Sequence, residues 1–157
     1  HDSPSYTRTA RNKTPRMYNE NTVNSLEIGK GSVLRTGSNV AIIANGVMVH
    51  KAMNAAEELS NRGIDATVVD MHTLKPLDTK LLDRLSRECS GIVTVEDHSV
   101  IAGLGSAVAE HLSQTNPTKI KMLGVQDRFG ESGGSEELLE MVGLTTEAII
   151  AASESLV

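Results

Sequence analysis

From residue 39 onward the chain alternates two kinds of segment, and that alternation most restricts its fold. Short runs rich in β-branched residues, Asn39–Ala44, Ala66–Asp70, Ile92–Glu96 and a stretch near Lys119–Val125, read as strands. Their near-continuous apolar character suits strands covered on both faces. Between them the apolar spacing turns helical. Met48, Ala52, Ala55, Ala56 and Leu59 share one side of a helix running to about Arg62, which Gly63 stops. Asn45 is the expected N-cap of that helix. Pro76 marks a turn, and Asp78 is expected to cap a second helix with Leu81, Leu82 and Leu85 on its apolar face. Gly103 and Gly105 open a third helix carrying Ala107, Val108 and Leu112, and Asn116-Pro117 breaks the chain before the fourth strand. Phe129–Gly134 leads into a helix over Glu136–Val142, and Thr145 or Thr146 caps a last one running toward Ser155. Strands alternating with helices at this spacing predict a three-layer α/β sandwich around a mostly parallel sheet. The stretch from Tyr18 to Gly37 reads as a connecting segment, and strand order stays open.

Composition narrows the class further. A chain of 157 residues with 39% apolar content can bury a core and is too apolar for general disorder. The longest apolar stretch, Val40–Val49, is interrupted by Asn45-Gly46 and is far shorter than the ~20 residues of a membrane span. One cysteine, Cys89, excludes an internal disulfide framework and any CxxC site, so a reducing cytoplasm fits. The aromatic residues are Tyr6, Tyr18 and Phe129, too few for a base-stacking nucleic-acid module. Neither nucleic acid nor membrane is expected as a partner. The chain begins at His1 rather than methionine, which reads as a piece of a longer parent. Its charge is lopsided: residues 1–16 carry Arg8, Arg11, Lys13 and Arg16 against Asp2 alone, whereas the whole chain has a net charge of −5. A basic leader on an acidic domain suggests an arm that meets an anion or another domain.

Open α/β sheets place ligands at the carboxyl ends of their strands, so candidate chemistry is sought there. The third strand ends in Glu96-Asp97-His98, two carboxylates beside an imidazole that suit acid–base work or a polar contact surface. Gly103-Leu-Gly105 then opens a helix and resembles half of a dinucleotide fingerprint, although Val108 replaces the third glycine and the motif follows the wrong strand. A stand-alone nucleotide-binding or regulatory module is the alternative this motif raises. Cys89, His50, His72 and His111 have no neighbours at catalytic or metal-ligand spacing, and Lys121 and Arg128 read as solvated charge. Phosphate-loop, nucleophile-elbow and HExxH motifs are absent.

The segment Asp127-Arg-Phe-Gly-Glu-Ser-Gly133, followed by Glu136–Glu140 and Gly143-Leu-Thr, resembles the C-terminal signature of transketolases. Val40–Gly46 resembles the family's first strand and helix, and Val69–Asp78 and Val95–His98 through Val108 are similar to split transketolases. Related stretches in deoxyxylulose-5-phosphate synthase and 2-oxoacid dehydrogenase β subunits make the same domain of one of those enzymes a further alternative. Asn45-Gly46-Val47 departs from the Thr-Gly-Ser common in the family. The resemblance implies a transketolase C-terminal domain over 39–157, a linker over 17–38 and, in 1–16, the last strand of a pyrimidine-binding domain. It further implies ketol transfer between sugar phosphates in the parent enzyme, with Arg11, and more weakly Arg8, binding the substrate phosphate. A planar guanidinium suits that task by donating two parallel bonds to phosphate oxygens. No catalytic residue, cofactor or metal ligand is implied in this chain. Thiamine diphosphate and Mg²⁺ belong to the missing pyrimidine-binding and diphosphate-binding domains, in a parent expected to be a homodimer. Glu96, Asp97, His98, Arg128, Phe129 and Glu131 are the expected surface toward those neighbours.

Overall fold

The computed structural model describes residues 3–11, 13–23 and 26–157. Five strands, β1 (Ser32–Arg35), β2 (Val40–Ala44), β3 (Ala66–Asp70), β4 (Ile92–Ser99) and β5 (Ile120–Val125), form one sheet in the order β1-β3-β2-β4-β5. β2 to β5 run parallel, and β1 joins the outside of β3 antiparallel, with Ser32 opposite Asp70. Helices α1 (Met48–Asn61), α2 (Thr79–Glu88), α3 (Leu104–Gln114), α4 (Ser135–Met141) and α5 (Thr146–Glu154) complete the layers.

The pleat sends alternate side chains of each strand into two separate cores. Val40, Ile42, Ala44, Val93 and Val95 pack with residues of α1, α4 and α5, whereas Ala41, Ile43, Val69 and Ile92 pack with α2 and α3. Every residue of β2 and β3 is buried, as two-sided coverage requires. The three-layer α/β sandwich expected from the alternation is therefore the fold observed.

Two local expectations differ. The connecting segment expected before residue 39 supplies β1, and Thr67 Oγ1 both accepts from Gly37 N (2.8 Å) and donates to Gly37 O (2.7 Å). This edge strand is only partly buried and lies between glycines, so it lacks the apolar run that marks its neighbours. Asn45 is not the cap of α1: Val47 holds the N-cap position and no side chain caps that end. Asp78 and Thr145 do cap, accepting from Leu81 N (3.1 Å) and Ala148 N (3.1 Å) respectively. Gly63 sits at φ +79 just past α1, the left-handed turn that ends a helix at low cost only in glycine.

Candidate functional site

β2 lies between β3 and β4, and the chain leaves it for β3 on one side before returning to β4 on the other. Sheets of this kind open a crevice at the carboxyl ends of the strands where the path reverses, here β2 and β4. The loops after these strands build that edge.

Glu96 governs it. β4 places Glu96 on the side facing α3, where it is 1% exposed. Its Oε2 accepts from Leu104 N at 2.7 Å and its Oε1 from Gly105 N at 2.9 Å, so one carboxylate takes two of the free amides that begin α3. The fit depends on glycine. A Cβ at Gly103 would overlap Glu96 Oε2, whereas one at Gly105 would press on Met122 Sδ (2.6 Å) and Thr94 Oγ1 (2.8 Å) and leave the carboxylate untouched. The half-fingerprint thus makes an anion cradle, and the chain's own Glu96 fills it. A nucleotide phosphate has no room at those amides, which removes the structural basis of the nucleotide-module alternative.

The loop from β4 to α3 is tightly tied. Val100 N donates to Val125 O (3.1 Å), Ile101 N to Ser99 Oγ (3.1 Å) and Ala102 N to Ser106 Oγ (2.9 Å). Ser106 Oγ in turn donates to Val100 O at 2.9 Å. These bonds hold Ala102 at φ +59, a conformation unfavourable for a residue with a Cβ. Ile101, beside it, is exposed.

Of the residues expected at a contact surface, Asp97 and His98 are exposed, whereas Glu96 lies behind them as their support. His98 Nδ1 lies 2.9 Å from Ser99 O and 3.8 Å from Glu96 Oε2. Residues 126–137, which include the Asp127–Gly133 motif, are exposed throughout. Within the loop Arg128 pairs with Glu131, and Phe129 stands 96% exposed between them. Glu137 Oε2 accepts from Gly134 N (3.2 Å) and Lys51 pairs with Glu136 (2.7 Å), which fasten the loop's far end to α4 and α1.

Residues 3–11 form no strand in this chain and are exposed. Arg8 Nη2 donates to Asp97 O at 2.6 Å, which brings the basic leader to the carboxyl end of β4. Arg11 is exposed on the same leader.

One contact pair was not foreseen from the sequence. Tyr18 donates to Asp70 Oδ2 at 2.7 Å, linking the segment ahead of β1 to the carboxyl end of β3. Asp70 is buried, and its other oxygen has no hydrogen-bond partner. Burial raises the Asp70 pKa, opposed by the Tyr18 hydrogen bond and by His72. Burial, followed by the bond to Asp70, also holds the Tyr18 phenol well above its usual range. An acidic residue closing the buried run of a strand is the signal common to Asp70 and Glu96, and it marks a group that needs an internal donor.

The α3 amides that would meet a diphosphate are taken by Glu96, and among the described residues no group of three or more His, Cys, Asp or Glu could hold a metal ion. No helix among the described residues is long and apolar enough to cross a membrane.

Residues 29–149 match the family described as transketolase, C-terminal domain. The 6-deoxy-6-sulfo-D-fructose transketolase subunit SqwH of Clostridium sp. (strain MSTE9) is 43% identical over 153 residues, covering 98% of this chain and 47% of that protein. The 1-deoxy-D-xylulose-5-phosphate synthase of Chlorobium phaeovibrioides is 42% identical over 126 residues, 80% of this chain and 20% of that enzyme. Among solved structures, one described as a split gene transketolase, inactive beta4 tetramer, superposes with a TM-score of 0.88 at 44% identity, covering 93% of this chain and 47% of that one. The chain thus spans about half the length of its transketolase-subunit relative, and less of the synthase.

Proposed function

The chain belongs to the family of transketolase C-terminal domains, and on that premise we propose that it is the C-terminal part of a thiamine-dependent enzyme transferring a two-carbon ketol unit between sugar phosphates. In this reading it braces the catalytic domains and supports a homodimer, and it holds no cofactor of its own. The observation that supports the reading is the self-filled edge: Glu96 closes the cradle at Gly103–Gly105, while Asp97, His98, Arg128, Phe129 and Glu131 stand exposed and are the proposed docking residues. Thiamine diphosphate and Mg²⁺ are assigned to upstream pyrimidine-binding and diphosphate-binding domains, which supply the carbanion chemistry. The cytoplasm is the proposed compartment, consistent with a single buried cysteine whose thiol pKa is raised by burial.

Arg11 is proposed to meet the terminal anion of the sugar. The similarity to a sulfofructose transketolase subunit gives a second reading of that anion, sulfonate in place of phosphate. Both are tetrahedral oxyanions that a guanidinium fork can hold, but they titrate differently. A phosphate monoester gains its second charge with a pKa of about 6, whereas a sulfonate keeps one charge throughout.

The test combines this chain with an upstream portion from a split relative, thiamine diphosphate and Mg²⁺, and follows ketol transfer from fructose 6-phosphate and from 6-deoxy-6-sulfofructose. Turnover is expected from the combination and not from the chain alone. Turnover by the chain alone would overturn the assignment. For a phosphate enzyme, KM rises as pH falls through about 6, while a KM flat across that range with the sulfonate preferred selects the second reading.

A further inference from the structure

The leader meets the domain at two points on the same edge of the sheet. Arg8 binds Asp97 O at the carboxyl end of β4, and Tyr18 binds Asp70 at the carboxyl end of β3. β2 lies between those strands. The distance across is small: two strand spacings are roughly 10 Å, and the intervening ten-residue length of chain can reach about three times that. The Tyr18 end is the more firmly built. Met17 packs against the core formed by β2, α1 and α5. Directly after Tyr18, Asn19 Oδ1 accepts from Asn21 N (2.9 Å) and Thr22 N (3.0 Å), and Val23 N donates to Asn19 O (2.9 Å), which closes a tight turn. Anchored side chain, phenol and turn together form a peg.

We infer that the Tyr18–Asp70 contact is a latch that seats the leader against the sheet edge and thereby sets where Arg11 is presented. Tyr18 is then a positioning residue that acts through Arg11, and the destination of Arg11 rests on the functional reading above. Arg8, already engaged with a backbone carbonyl of β4, is the second fastening and not a substrate ligand. Asp70 suits the latch because its side chain is buried and held by two-sided packing of β3, so the acceptor cannot follow a leader that swings away. The same carboxylate has little else to bond to, since Oδ1 lacks a partner. Loss of the phenolic hydroxyl therefore removes the contact without a ready substitute.

The experiment compares Tyr18→Phe with the unaltered chain. Phenylalanine keeps the ring packing and loses only the hydroxyl. Amide exchange over residues 17–23 is expected to accelerate about tenfold, with exchange in β2 and β4 unchanged. Asp70→Asn, which keeps an acceptor oxygen, is expected to retain most of the protection. In the assembled enzyme, Tyr18→Phe is expected to raise KM for whichever of the two sugars, fructose 6-phosphate or 6-deoxy-6-sulfofructose, it turns over, with kcat held. Unchanged exchange in Tyr18→Phe overturns the latch. Faster exchange with unchanged KM overturns the positioning role. Arg11→Ala then separates the two ideas, because an unchanged KM in that variant means the anion assignment has failed and not the latch.

Discussion

At the scale of single residues, the carboxyl edge is decided by a buried carboxylate and the glycine that admits it. Glu96 is out of water, yet both oxygens accept from the amides that open α3, where the helix dipole also favours a negative group. Glu96→Ala is expected to destabilise the chain by about 3 kcal/mol, because two charge-assisted bonds go and two amides are left buried. Gly103→Ala should cost a similar amount by forcing the carboxylate out of its seat. Urea unfolding of the two variants and the double variant checks this. A double variant that loses less than the sum of the two single ones shows that both act on the carboxylate, the remaining loss coming from Ser99 O, which a Cβ at Gly103 also meets at 2.7 Å. The sequence displays Glu96 and the two glycines plainly, but it shows them as a possible acid–base pair and a possible phosphate cradle. Only the register of β4 against α3 reveals that each answers the other. Tyr18 was hidden for the opposite reason, since a lone aromatic in a polar stretch carries no periodicity and its partner is 52 positions away.

At the scale of elements, periodicity was a sound guide wherever burial was two-sided. The runs at Val40–Ala44 and Ala66–Asp70 are strands, and the helical stretches fall at α1 to α5 within a residue or two. β1 escaped because an antiparallel edge strand need not be apolar, and β4 extends to Ser99 because its last residues leave the core and turn polar. The α2–α3 pair shows how elements are joined outside the apolar cores. His111 Nε2 lies 2.7 Å from Asp83 Oδ1, and Thr115 Oγ1 donates to the same oxygen at 3.2 Å. The His111 hydrogen bond holds the Asp83 pKa below its ordinary value. A carboxylate with a depressed folded pKa stabilises fully above its unfolded pKa, and that support fades as pH falls through the folded value. Thermal unfolding between pH 5 and pH 2 should thus show a decline that is shallower in Asp83→Asn. Parallel curves for the two proteins would mean that the clasp carries none of the acid sensitivity.

For the whole molecule, the distribution of exposure separates a closed domain from the surface it offers. The two cores are sealed, while residues 126–137 are exposed in an unbroken run with Phe129 bare at its tip. An exposed phenylalanine held between a paired arginine and glutamate has the composition of an interface anchor with a polar rim. Phe129→Ser is expected to leave the melting temperature of this chain unchanged and to weaken its assembly with the upstream portion at least tenfold, as measured by titration calorimetry. Equal affinity for the two forms would place the docking face elsewhere.

The strand order has a consequence for how the chain is made. β1 and β2 precede β3 in the sequence, yet they do not pair with each other, because β3 inserts between them. Val40 must wait for Ala66, its partner across the β2–β3 ladder. At ribosomal rates of ~5–20 residues per second, that interval is roughly one to five seconds. During it the nascent polypeptide carries Val40–Ala44, an uncharged β-branched segment, without a neighbour. Crowded polysomes are therefore where this fold is most open to sticking, and the exposure lasts until β4 covers the other edge of β2, where Ala41 pairs with Ile92.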